Sequence, residues 1–248
     1  MNWSFVNSGF LSGEENMSLD MNNAQELARS LHKTISSQSL FRIYAWDRPT
    51  LSLGKHQLLT STIEKQCKER SIPIVYRPTG GRAVLHANEL TYCITMPCAS
   101  MEDARNVYRD VHHFFLKCLQ SLSIQDLEFA KGAPSFQEHY QSMESSACFS
   151  ASARHELTCK GKKLIGSAQR IIDGVLLQHG SLPLDDSYLN IADILSTSSD
   201  EAVLLRNALK SHSTSLSECL GHSCDFSQIA DIISSKWEEE QFQSMQSL

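Results

Sequence analysis

The stretch GKKLIGSAQRIIDGVLLQHGS, residues 161–181, decides how this chain is read. Its apolar runs are short and rich in Ile, Val and Leu, and they break at Gly161, Gly166 and Gly174. That is the pattern of strands separated by turns, and the segment reads as a hairpin. Adjacent strand residues project to opposite faces, so of Lys162 and Lys163 one can be solvated while the other points inward. A lysine turned into an apolar cleft is a fixed cation, able to bind an acyl carbonyl or to stabilise a developing oxyanion. Gly166 and Ser167 would let a substrate chain lie close to the backbone. His179 has two open readings, a binding group or a hydrogen-bonded strand histidine.

Outward from this cluster, which begins near His155, strands and helices are mixed along the whole chain. Residues 16–33 read as a helix with Leu19, Leu27, Ala28 and Leu31 near one face. Strands are expected over residues 41–46, 51–54, 72–76 and 89–96. Val107, Val111, Phe114, Phe115 and Cys118 recur at helical spacing and mark an amphipathic helix, with Cys118 in its core stripe. After Asp185 the pattern turns helical. Strands do not alternate regularly with helices, so the expected class is α+β on a mixed, largely antiparallel sheet. One domain over residues 1–248 is expected, with a helical portion at about 186–248.

Composition narrows the partners. The 248 residues are 41% hydrophobic, enough for one substantial core. The net charge of -6 provides no basic field for a nucleic-acid backbone. No run approaches the roughly 18 apolar residues of a membrane span, and MNWSFVNSGF lacks the basic and apolar regions of a secretory signal. A cytoplasmic protein is expected. Its eight cysteines contain no CxxC pair, so reduced thiols are expected. Cys219 and Cys224 flank His222 without a four-ligand zinc pattern, and no metal is assigned. One local excess of charge stands out. Between Arg154 and Arg170 five bases face one acid, Glu156, a balance of +4. It reads either as a dock for an acidic partner or as solvated surface.

A second informative segment is RPTGGRAVLH, residues 77–86. Its adjacent glycines, Gly80 and Gly81, form either a plain turn or a loop whose amides face a ligand. Flanked by Arg77 and Arg82, such amides suit a carboxylate, phosphate or polarised carbonyl. Cys148, in SSACF, is by itself one of eight cysteines and reads as a buried small residue.

Taken in order, RPTGGRAVLH with the following ELTY, then GKKLIGSAQ, then LQHGS, resemble the lipoate and octanoate attachment family, related in fold to biotin protein ligases. The resemblance runs from Trp3, through NMSLD at residues 16–20, to about Phe242. It implies a ligase-type catalytic domain, with a substrate site at Arg77, Gly80, Gly81, His86, Gly166, Ser167 and His179. The family's inward lysine falls on Lys163. Its transferases carry a cysteine shortly before the lysine motif, where Cys148 stands. Only about sixty residues follow the hairpin, little room for the accessory domain common in the ATP-dependent ligases.

The activity so implied is octanoyl transfer from octanoyl acyl carrier protein to a lysine of glycine cleavage H protein or of a 2-oxoacid dehydrogenase lipoyl domain. Cys148 would carry the acyl group as a thioester, Lys163 would assist, and Val84 and Leu164 would line the acyl tunnel. No cofactor is then needed. The alternative within the family is an ATP-dependent lipoate–protein ligase, which would use ATP and Mg2+ and a lipoyl-adenylate, alone or with an accessory chain. A third reading, a non-catalytic binder of lipoyl groups or fatty acids, draws on three departures from the family pattern, at Ala87, Ala151 and Ile171.

Overall fold

The computed structural model describes residues 2–33, 38–130 and 156–240. In chain order the strands and helices are β1 (Asn2–Leu11), α1 (Gly13–His32), β2 (Gln38–Trp46), β3 (Thr50–Leu53), α2 (Ser61–Glu69), β4 (Ile74–Tyr76), β5 (Val84–His86) and β6 (Glu89–Pro97). There follow α3 (Met101–Gln120), β7 (Leu127–Phe129), β8 (Leu157–Cys159), β9 (Lys162–Lys163), β10 (Gly166–Ile172) and β11 (Val175–Pro183). The chain then runs through a 3-10 turn (Asp186–Asn190) into α4 (Ile191–Leu195), α5 (Ser199–His212), α6 (Leu216–Leu220) and α7 (Phe226–Glu240).

Among the described residues a five-stranded sheet has the order β1-β2-β6-β11-β10, beside two three-stranded sheets, β4-β3-β5 and β7-β8-β9. Two pairings are parallel, β1 with β2 and β3 with β4, and the remaining ladders are antiparallel. The class is α+β, as expected.

The large sheet is covered on both faces. On one, Phe41, Tyr92, Ile94 and Leu176 pack against Val111, Phe114 and Phe115 of α3 and Ile233 of α7. On the other, Tyr44, Trp46, Cys93 and Leu177 pack against Met17, Ala24 and Leu27 of α1. Each large apolar side chain buried this way stabilises by about 1.5–3 kcal/mol. Double coverage explains why every residue of β11 is buried. No described helix is long and apolar enough to cross a membrane.

Local signals set the boundaries. Ser12 and Glu15 form a capping box that starts α1 at Gly13, three residues ahead of the expected start. The hairpin from β10 to β11 turns on Asp173 (φ 48) and Gly174 (φ 79), both in the left-handed region that two-residue turns of this hand require. Lys160 (φ 51) and Gly161 (φ 75) do the same between β8 and β9. Gly166, expected as a break, is instead the first residue of β10. β1 and α2 were not anticipated. In β1 the alternation is interrupted by a register shift between Asn7 and Phe10, at Gly9 (φ 63), which hides the strand period.

Candidate active site

A pocket opens between α1, the α1-facing side of the large sheet and the β4-β3-β5 sheet. Met17, Tyr44, Trp46 and Val84 form its apolar wall, and Arg77, His86, His179 and the start of β10 at Gly166 and Ser167 its polar side. Six positions expected from sequence thus converge here, Arg77, Val84 and His86 from the first motif and Gly166, Ser167 and His179 from the second and third.

Arg77, 5% exposed, organises the first motif. Nη1 donates to Ser52 O (3.2 Å) and Ser52 Oγ (3.1 Å), Nε and Nη2 donate to Gly80 O (3.2 and 3.0 Å), and Nη2 also donates to Arg82 O (2.5 Å). The guanidinium therefore holds its own loop closed. Gly81 takes φ +97, and a Cβ there would lie 2.8 Å from Arg77 Nη2. A Cβ on Gly54 would lie 2.0 Å from Gly81 O, so the two backbones touch. Gly80 and Gly81 are not among the residues lining the pocket; they shape the loop that carries Arg77 and Thr79.

His86 lies flat against Trp46, with ring centroids 4.0 Å apart and 10° between planes. Its Nδ1 is 2.8 Å from Glu89 Oε1 and its Nε2 2.8 Å from Ser52 Oγ. Burial pushes the Glu89 carboxyl up, but the charge and hydrogen bond of His86 and the Thr91 hydroxyl outweigh it and hold the carboxyl below its usual range.

His179 is set by two elements far from it in sequence. Nε2 is 2.6 Å from Thr79 Oγ1, and Nδ1 faces Asp20 Oδ2 at 3.6 Å. Burial lowers its pKa, against the opposing pull of Asp20. A carboxylate can only accept, so the nitrogen facing Asp20 is the one suited to carry the ring proton, which leaves Nε2 to accept from Thr79 Oγ1. Asp20 is itself held by Arg42 Nη1 (2.7 Å) and by the Tyr44 hydroxyl (2.9 Å).

Lys163 sits elsewhere. It is not a lining residue of the pocket, and its Nζ is 2.9 Å from Glu156 Oε1, both side chains being almost fully buried. Tyr108 of α3 donates to the same oxygen at 2.9 Å and stacks on His112. The lysine therefore faces a carboxylate and α3, not a purely apolar cleft. Ser167 joins the two regions, since it lines the pocket and its Oγ is 3.0 Å from His112 Nε2. Leu164, expected on the acyl tunnel, is wholly buried in the core under α3, whereas Val84 does line the pocket. Cys148, Ala151 and Arg154 lie outside the described residues.

The basic stretch is not one solvated face. Lys162 pairs with Glu218 at 3.3 Å, Lys163 with Glu156, and Arg170 donates to Pro78 O at 3.0 Å. Of its described bases Lys160 is the exposed one. Among the described residues no three His, Cys, Asp or Glu side chains gather as a metal site would require.

Asp20, Ser52, Thr79, Glu89, His112 and Glu156 were not singled out from sequence. Thr79, Glu89 and Asp20 stand inside quoted motifs, RPTGGRAVLH, ELTY and NMSLD. For His112 the only signal was a histidine on the apolar stripe of a helix, which more often means core.

Comparison with known proteins matches residues 15–238 to the family described as lipoyl protein ligase A/B catalytic domain. An octanoyltransferase LipM from Lysinibacillus sphaericus is 34% identical over 204 residues, 81% of this chain and 72% of that protein. One from Kyrpidia tusciae is 32% identical over 228 residues, 88% and 80% of the two chains. Among solved structures, the bi-partite lipoate protein ligase of Thermoplasma acidophilum superposes with a TM-score of 0.66 at 15% identity, covering 99% of this chain and 90% of that one. LipL1 of P. falciparum, solved in complex with lipoate, superposes at 0.65 and 17% identity, over 99% and 63%. At such identities the structural likeness shows the fold.

Proposed function

This chain belongs to the family of lipoyl protein ligase A/B catalytic domains, and on that premise we propose that it transfers an octanoyl group to a lysine of a lipoyl-domain-type acceptor. The observation that carries this reading is the pocket: an apolar wall of Met17, Tyr44, Trp46 and Val84 meeting a polar side of Arg77, Ser167 and His179. That lining suits a straight apolar chain ending in one carbonyl. The relatives named octanoyltransferase LipM support octanoyl as the chain.

In the proposed mechanism the Cys148 thiolate attacks the thioester of octanoyl acyl carrier protein. The new C–S bond forms as the carrier's thiolate leaves, so one thioester replaces another and the exchange is nearly isoenergetic. The ε-amine of the acceptor lysine, on glycine cleavage H protein or a lipoyl domain, then displaces Cys148 and leaves a stable amide. Neither ATP nor Mg2+ enters this balance. Lys163 supplies positive charge near the sulfur and the carbonyl oxygen, and Glu156 fixes where that charge sits. Support for Cys148 is its place in the chain, eight residues before Glu156.

Intact mass after mixing with octanoyl acyl carrier protein tests this. A gain of one octanoyl group on the enzyme without ATP is expected. Acceptor modification that appears only with ATP would transfer the assignment to an adenylate-forming ligase.

A further inference from the structure

Glu89 does not line the pocket, yet Trp46, His86 and Arg77, which do, are all tied back to one of its oxygens, Oε1. Side chains alternate along β6, so Glu89 projects to the same α1-facing side of the large sheet as Thr91 and Cys93. Its carboxyl is buried and held below the usual range, so it is ionised at neutral pH and can only accept.

The first arm starts at Trp46. An indole N–H can only donate, and this one goes to Thr91 Oγ1 at 2.8 Å. The Thr91 hydroxyl in turn donates to Glu89 Oε1. The second arm starts at Arg77, which likewise can only donate. Its Nη1 donates to Ser52 Oγ at 3.1 Å, and Ser52 Oγ lies 2.8 Å from His86 Nε2. His86 Nδ1 meets Glu89 Oε1 at 2.8 Å, and the nitrogen that faces a carboxylate is the one suited to carry a proton. The arms also touch each other, since the His86 ring lies flat on the Trp46 indole. Ser52, Thr91 and Glu89 are each at most 3% exposed, so water does not compete for these bonds.

We infer that Glu89 is a positioning residue, which through Thr91 on one arm and His86 with Ser52 on the other fixes the walls that receive the acyl chain. The inference rests on the acyl-transfer reading above. Walls fixed before the substrate arrives need no ordering of side chains on binding. The effect of Glu89 therefore falls on how the octanoyl donor is bound, and not on the acceptor.

Three measurements on the full chain test it. Glu89→Ala is expected to raise KM for octanoyl acyl carrier protein about tenfold, with KM for the acceptor lipoyl domain unchanged. Glu89→Gln, which keeps one acceptor oxygen, is expected to lie between that variant and wild type. Thr91→Val cuts the Trp46 arm at nearly constant shape and is expected to raise the donor KM, and Thr91→Ser, which keeps the hydroxyl, to recover most of that loss. In ¹⁵N spectra of the ligand-free protein, His86 Nδ1 is expected to carry a proton in wild type. The Trp46 indole signal is expected to move in both Glu89→Ala and Thr91→Val. A purely structural role would lower kcat through the folded fraction and leave the donor KM of Glu89→Ala at the wild-type value, which would overturn the inference. Equal donor KM in Thr91→Val and Thr91→Ser, or an unprotonated His86 Nδ1, would overturn it too. Should Glu89→Ala not fold, the Thr91 pair and the His86 signal decide. If wild type transfers no octanoyl at all, the functional reading fails, and the His86 and Trp46 signals still decide the role of Glu89.

Discussion

Lys163 Nζ lies 2.9 Å from Glu156 Oε1, with side chains only 4% and 2% exposed. An ion pair so buried is costly to break from one side, because the charge left behind has no compensation. Lys163→Ala is expected to destabilise the protein by about 3–5 kcal/mol in urea unfolding and to slow acylation about 10²–10³-fold. Adding Glu156→Gln should recover much of the stability and none of the rate. Recovery of the rate as well would mean that Lys163 serves folding alone.

For Cys148 the prediction is chemical. Cys148→Ala should abolish transfer from octanoyl acyl carrier protein and leave the unfolding midpoint unchanged. Cys148→Ser should trap an ester, which an amine cleaves less readily than a thioester. Hydroxylamine should release the octanoyl group from acylated wild type. Near-wild-type activity in Cys148→Ala would falsify the covalent mechanism.

The contact between Gly54 and Gly81 makes a paired prediction. The obstacle to a Cβ at Gly54 is a backbone oxygen at 2.0 Å, which cannot swing aside as a side chain would. Gly54→Ala should therefore displace the loop, loosen Arg77 from the Gly80 and Arg82 carbonyls, cost about 1–3 kcal/mol and raise KM. Gly80→Ala, where a Cβ meets nothing within 4 Å, should stay within about 0.5 kcal/mol of wild type. Equal effects of the two in thermal unfolding and kinetics would refute the contact.

Acid should weaken the fold in two stages. The folded pKa of His179 is lowered, chiefly by burial, so as pH falls below the free value of about 6.5 the unfolded chain takes up the proton first. Its contribution is complete above that pH and declines below it, by at most about 1.4 kcal/mol per pH unit. Glu89, also lowered, adds a second loss beginning near the free carboxyl value of about 4.3 and ending below its own folded pKa. Urea midpoints for wild type and His179→Gln should diverge less at pH 5 than at pH 8. Parallel curves across that range would show that His179 does not titrate on unfolding.

Much of the site was legible because the motifs are contiguous. Arg77, His86, Ser167 and His179 each lie in a short run whose glycines and alternation announce strand ends, and all four reach one pocket. The hairpin of β10 and β11, the α3 stripe and the α+β class follow from local periodicity, which one segment reveals by itself. Periodicity does not say which distant segment will lie opposite. His112 meets Ser167 across 55 residues, Ser52 meets His86 across 34, and Thr79 meets His179 across 100. These pairings depend on the order β1-β2-β6-β11-β10 and on how α1 and α3 cover its two faces. Lys163 shows the division most clearly. Alternation along its strand determined that one of two adjacent lysines would turn inward, whereas the carboxylate it meets there was decided by packing, since a buried cation requires a counter-charge that no strand pattern specifies.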